Sequence, residues 1–369
     1  MVGYVARRPG PNLGLVRLPL PRRSAWIGLL ATLAACRVQP GADRPLAAGE
    51  VASLPGTLVF TSERDGTRGA YRLAFGHAPE RLSGPDDEVA LAVSPDGAAV
   101  IVGRTVETEA GPREQLVVIE EGEAHALTPP RGRARNPSWS PDGQWVAFEA
   151  DLDGFSDVYR ADRDGTNLDR LTADPAGNYE PAVSPTGAEI VFASSRDQQA
   201  EVYRMSADGR DPVRLPASPR DEWRPLWSPD GRAVAVLSNE RGRDEIYVMA
   251  PDGSARRRLN ATRADGGIGE VLEGEPAWAP DGSALAYTTR TRDGALQVWT
   301  VDVASGAHRA LTAPAEASYG PAWSPDGQWI AFVSDRDGDP ELYVLRADGA
   351  RATRLTHSPG PDEGLLWAP

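Results

Sequence analysis

Asn136-Pro137-Ser138-Trp139-Ser140-Pro141-Asp142-Gly143-Gln144-Trp145-Val146-Ala147-Phe148 reads as a short strand, a tight turn and a second strand. In the turn, proline presets φ, aspartate bonds back to its own backbone and glycine takes the left-handed position. The same tetrapeptide recurs as Ser94-Pro95-Asp96-Gly97, Ser184-Pro185-Thr186-Gly187, Ser228-Pro229-Asp230-Gly231, Ala279-Pro280-Asp281-Gly282 and Ser324-Pro325-Asp326-Gly327. Trp367-Ala368-Pro369 is a truncated copy, and successive copies lie 46, 44, 44, 51, 45 and 44 residues apart. After the quoted stretch, Asp157-Val158-Tyr159-Arg160 forms a third strand, and Asp164-Gly165 turns it into a fourth that ends at Arg170-Leu171-Thr172. Four short strands per repeat, with no sustained helical period in the body, predict an all-β fold: a β-propeller of four-stranded blades.

The two ends complete each other. Gly56 to Gly66, with Tyr71-Arg72-Leu73 and Arg81-Leu82-Ser83, matches strands two to four of a repeat, whereas Gly364-Leu365-Leu366-Trp367 matches strand one. Together they make a seventh blade, so residues 57–369 are expected to form a seven-bladed ring. Leu365–Trp367 should pair with Thr57–Thr61 and remove the open sheet edge.

The N-terminus is of another kind. Arg7, Arg8, Arg17, Arg22 and Arg23 precede the apolar run Ala25 to Leu33, too short for a comfortable membrane span, and Leu33-Ala34-Ala35-Cys36 follows. Residues 1–36 read as a lipoprotein signal peptide with Cys36, the one cysteine of the chain, as the lipidated residue. Residues 37–56, with Pro40, Gly41, Pro45 and Pro55, read as a flexible tether. Arg37 rather than Asp after the cysteine points to the periplasmic face of the bacterial outer membrane. Removing residues 1–36 deletes five arginines and no acid, which takes the net charge from −14 to −19. A body this acidic repels nucleic acid.

The repeat x-Pro-x-Trp-Ser-Pro-Asp-Gly, followed by Ile-Ala-Phe, an Arg-Asp-Gly loop, Ile-Tyr and Arg-Leu-Thr, resembles the TolB-type propeller repeat. The resemblance covers essentially all of residues 57–369. It departs from TolB itself in that the repeats start about 20 residues after Cys36, which leaves no room there for TolB's N-terminal α/β domain. The same repeat occurs in propellers attached to prolyl-oligopeptidase-type peptidases. Those need a Gly-x-Ser-x-Gly elbow, and no such pentapeptide occurs in this sequence.

Other motifs read as scaffold. The turn aspartate is replaced by Thr186 in one repeat, which a turn tolerates and a catalytic carboxylate would not. Trp139, Trp227, Trp278, Trp323 and Trp367 share one register with Val93 and Val183, as inter-blade core would. Asp335 to Glu341 alternates acids as calcium loops do, but Pro340 stands where such a loop needs glycine, and the acids read as solvated hairpin tips. His77, His125, His308 and His357 lie in four different repeats and outside metal-ligand spacings. No cofactor or metal is expected.

What varies while the scaffold repeats is the pair of residues four and five before the repeat serine: Arg135 and Asn136, Tyr179 and Glu180, Trp223 and Arg224, Gly274 and Glu275, Tyr319 and Gly320. The first strand lies next to the axis, so these positions should sit in the connections opening on the central funnel. They face away from the short Ser-Pro-Asp-Gly turns. Charged groups beside aromatic rings are the composition of a recognition surface. The expected function is a non-enzymatic, lipid-anchored envelope protein that binds a protein or extended peptide through the funnel at Arg135, Asn136, Tyr179, Glu180, Trp223, Arg224, Glu275 and Tyr319. The alternative is an envelope polysaccharide lyase or hydrolase with its site in the funnel, which convergence of Glu180 and Glu275 to about 5–10 Å would favour; two blades apart, they are expected to lie farther from each other than that.

Overall fold

The computed structural model describes residues 45–216, 218–259, 276–290, 294–314, 316–349 and 351–369. Cys36, Gly274 and Glu275 lie outside them, as do residues 37–44.

The described residues form seven four-stranded antiparallel sheets. In the third blade the order from the axis outward is Ala134–Trp139, Trp145–Ala150, Asp157–Asp162 and Asp169–Arg170. The second strand is buried on every residue, because both of its faces pack against neighbouring blades; hence the unbroken run Trp145-Val146-Ala147-Phe148 rather than an alternating one. The fourth blade starts with Asn178–Val183, the fifth with Glu222–Trp227, the sixth with Ala277–Trp278 and the seventh with Ser318–Trp323.

The first blade is composite. Asp362–Ala368 is the inner strand beside Thr57–Ser62, in the register Thr57↔Ala368, Leu58↔Trp367 and Val59↔Leu366. The expected closure by shared termini is what the fold shows.

Three features were not foreseen. First, Pro45 to Gly56 does not trail as a tether. Ala48–Val51 forms a short helix, α1, the Leu46 N–H donates to Thr353 Oγ1 at 2.8 Å, and Leu46, Val51 and Leu54 pack on the core between the seventh and first blades. Apolar side chains that reach a core are worth burying, and this outweighs the Pro/Gly signal for disorder. Second, the middle strands of the second blade, Ala99–Thr108 and Gly111–Glu120, run to ten residues each. They outrun the blade's inner strand, Glu88–Val93, which ends opposite Arg104, and project as a two-stranded arm. Third, the hairpin acids are bound: Asp65, Asp153, Asp197 and Asp337 accept the hydroxyls of Tyr71, Tyr159, Tyr203 and Tyr343. Burial, then the hydrogen bond to a carboxylate, pushes the Tyr159 and Tyr203 hydroxyls up to about 12.

Candidate functional site at the funnel mouth

The described funnel residues, Arg135, Asn136, Tyr179, Glu180, Trp223, Arg224 and Tyr319, lie inside the inner strands, not in the connections before them. The inner strands of the third, fourth, fifth and seventh blades are bulged. Ladder pairing skips Asn136-Pro137, Glu180-Pro181, Arg224-Pro225 and Gly320-Pro321, so two residues face one on the partner strand. Proline has no N–H to give the ladder, so pairing must break where it stands. The residue before it turns left-handed, with φ of 51° at Asn136, 51° at Glu180, 49° at Arg224 and 60° at Gly320. Glycine and asparagine take that conformation readily. Glutamate and arginine do so at a cost of order 1–3 kcal/mol, and such strain marks positions held for another purpose.

Hydrogen bonds from the preceding blade hold the bulges. The N–H groups of Ala90 and Gly320 donate to Thr61 Oγ1 and Thr288 Oγ1 at 3.0 and 3.1 Å. At the two strained positions carboxylates take the place of hydroxyls. The Glu180 N–H donates to Glu149 Oε2 at 3.3 Å, and the Arg224 N–H to Glu180 Oε2 at 2.7 Å. A charged acceptor roughly doubles such a bond and offsets the backbone strain. The charge is thereby gathered on one arc of the mouth, blades three to five.

Glu149 is the centre of that arc, and the sequence reading passed over it. It is 1 % exposed and stands where the other second strands carry Thr61, Gly103, Ala193, Leu237, Thr288 and Val333. Arg135 Nε and Nη2 donate to its Oε1 at 2.8 and 2.6 Å, Ser156 Oγ donates to the same oxygen at 2.7 Å, and Asn136 Nδ2 donates to Oε2 at 2.8 Å. Buried charge is tolerable only when paired and saturated in this way. The bond to Glu149 in turn raises the pKa of Arg135 above the ordinary arginine value.

Arg135, Asn136, Tyr179, Glu180, Trp223 and Arg224 line one pocket of about 470 Å³, with Glu149 in its wall. Asn136, Glu180 and Arg224 also line a narrower cavity of about 230 Å³ with Pro137, Pro181 and Pro225. Leu91 and Leu226 lead from it into an axial chamber of about 770 Å³. Tyr319 lines that chamber instead of joining the charged arc. The repeated tryptophans have a double place: Trp139, Trp278, Trp323 and Trp367 pack on the inter-blade core and also wall the chamber. Trp278 Nε1 donates to the Leu226 carbonyl at 3.3 Å, and Trp323 Nε1 to that of Ala277 at 3.1 Å, which stitches neighbouring inner strands together. The mouth is thus polar on one arc and the interior apolar. Glu275, the proposed partner of Glu180, lies outside the described residues. The two carboxylates lining this pocket, Glu149 and Glu180, are both engaged with backbone and arginine.

Residues 108–267, 219–312 and 269–365 match the TolB beta propeller domain. The Tol-Pal system protein TolB of Anaeromyxobacter dehalogenans is 33% identical over 109 residues, 28% of this chain and 25% of that protein. That protein and two other curated relatives that match are covered over only 15% to 27% of their own lengths. TolB from Acinetobacter baumannii superposes with a TM-score of 0.55 at 21% identity, over 74% of this chain and 67% of that one. Oligogalacturonate lyase from Vibrio parahaemolyticus superposes with a TM-score of 0.58 at 16% identity, over 82% and 86%. At such identities the likeness speaks for the fold and not for an activity. With the domain matched across most of its length, this chain belongs to the TolB beta propeller domain family.

Proposed function

We propose that the protein is a non-enzymatic binding protein of the cell envelope, which recognises a protein or an extended peptide through the funnel face at blades three to five. The observation that carries this is the state of the carboxylates. Glu149 spends both oxygens on Arg135, Asn136, Ser156 and a backbone N–H, and Glu180 spends one on the Arg224 N–H. Groups committed to holding a strained scaffold are preorganised for recognition and poorly placed to take and release protons. Tyr179 and Trp223 beside them supply rigid contact area of the kind that dominates interfaces. A matched relative, TolB of Anaeromyxobacter dehalogenans, is a protein of the Tol-Pal system, which is in keeping with a multi-protein envelope assembly.

Lipidation at Cys36 and residence at the periplasmic face of the outer membrane belong to the same proposal, since several acyl chains bury enough methylenes for stable anchoring at about 0.8 kcal/mol each. The test is affinity purification from solubilised membranes with wild type and with the Trp223→Ala/Arg224→Gln double variant in parallel. A stoichiometric partner held by wild type and lost by the variant supports the reading. A partner held equally by both, or none, defeats it.

A further inference from the structure

We infer that the group recognised at the mouth is a carboxylate: the partner segment carries an aspartate or glutamate on the charged arc and, next to it, an apolar residue reaching into the tryptophan-walled chamber. This rests on the funnel-binding reading above and adds the chemistry of what is bound.

On this arc the acceptors are used inwardly. Glu149 lies buried under Arg135 and Asn136, and Glu180 faces the Arg224 backbone, with its Oε1 3.5 Å from Arg224 Nε. The donors are used by halves. Arg135 gives Nε and Nη2 to Glu149 and keeps Nη1, its side chain 50% exposed. Neither Nη of Arg224 bonds a described residue, and that side chain is 34% exposed. The pocket that both arginines line therefore presents guanidinium N–H groups to an incoming molecule, while the Glu149 carboxylate is buried in its wall and the Glu180 carboxylate, part of the lining, is bonded to the Arg224 backbone. Planar guanidinium edges with free donors suit a carboxylate, which can take two parallel bonds.

The chain as a whole carries a net charge of −14 and opposes any anion. That opposition comes from charges spread over the whole disc, and beyond about 8 Å it is screened at physiological salt. Two guanidiniums in contact with the ligand are not screened to that extent, so the local term decides.

A carboxylate could also come from an oligouronide. The cavities favour a peptide. Below the arc the path narrows between Pro137, Pro181 and Pro225, then opens into a chamber walled by Trp139, Trp278, Trp323, Trp367 and leucines. An oligouronide carries a charge on every ring and would have to leave one unpaired there. A peptide can place an acid outside and an apolar side chain inside within neighbouring residues.

The experiment is a random-peptide display selection on the detergent-solubilised full chain, with trigalacturonate titrated in parallel by calorimetry. The inference expects selected peptides to share Asp or Glu at one position, followed closely by an aromatic or aliphatic residue. A capped synthetic peptide should lose about tenfold to a hundredfold in affinity on Glu→Gln exchange, and by a similar factor with Arg224→Gln protein. Arg224→Gln keeps the backbone bond to Glu180, and an unchanged melting temperature separates lost recognition from lost fold. Peptides selected without acids, or with Lys or Arg instead, overturn the carboxylate inference and leave funnel binding standing. Trigalacturonate binding with no peptide selected overturns the peptide assignment. Failure of both ligands to bind defeats the funnel reading together with the inference.

Discussion

Replacing Trp367 by alanine probes the ring closure at one side chain. Trp367 sits on the closing strand opposite Leu58, its ring lies 5.6 Å from that of Phe75, and its Nε1 donates to the Pro55 carbonyl at 2.8 Å. Removing a well-packed tryptophan costs about 3–5 kcal/mol. This one is only partly buried, so the apolar loss is smaller, and the hydrogen bond and the aromatic pair add about 1 kcal/mol each. About 3 kcal/mol in total is expected. Unfolding entropy near 2.1 cal/mol/K per residue over about 310 residues makes that a fall of about 5 °C in Tm. Differential scanning calorimetry measures it, with Arg232→Ala as the control on an exposed turn, its side chain 88% exposed, where no shift beyond about 1 °C is expected. Deletion of residues 363–369 should do far more, since it exposes the flank of Thr57–Ser62. A Trp367→Ala protein melting within a degree of wild type would refute the claim that the C-terminal strand bears load in the ring.

Glu149→Gln should lower stability by about 1–3 kcal/mol, because a charged acceptor is replaced by a group with two donors facing Arg135 and Asn136; urea denaturation with an unchanged m-value checks it. Acid should weaken the fold through the turn aspartates. Asp96 is held at about 2, chiefly by the Ser94 hydroxyl, and Asp142 and Asp230 are lowered by Ser140 and Ser228. Their folded pKa values lie below the unfolded value of about 3.9, so this contribution is whole above that pH and drains away as pH falls toward about 2. Buried Asp362 and Glu222, whose pKa values are raised by desolvation, work in the opposite direction. Ser94→Ala should therefore lower Tm at neutral pH and shrink the loss between about pH 4 and pH 2, and a melting series over that range decides. Cys36→Ser should move the protein from the membrane pellet into the soluble periplasmic fraction, and retention in the pellet would end the lipoprotein reading.

The fold was legible because the turn chemistry repeats. Six full copies of one tetrapeptide, with an apolar strand on either side, leave few architectures open, and the unmatched ends could be joined by counting strands. The position of the funnel residues was legible only approximately. Arg135, Tyr179 and Trp223 were expected in connections, yet they are in-strand residues beside a bulge, and the signal for it was the proline at 137, 181 and 225. Glu149 went unseen because a single acid inside Trp145–Ala150 looks like noise in an apolar run. It becomes informative only when set against Thr61, Ala193 and Val333 in the same register. The arm of the second blade hid in a strand pattern that simply continues past Arg104. The docking of Leu46 and Val51 depends on a core made by distant strands, which no local pattern reports.

The central claim is that blades three to five of the funnel mouth meet the partner. A photoreactive amino acid placed at residue 223 in living cells tests it most directly, with the same group at residue 232 on the opposite face as the comparison. The account predicts a discrete crosslinked species from position 223, absent from position 232 and abolished when Arg224→Gln is added. Crosslinking from position 232 alone, or from 223 undiminished by Arg224→Gln, would contradict it.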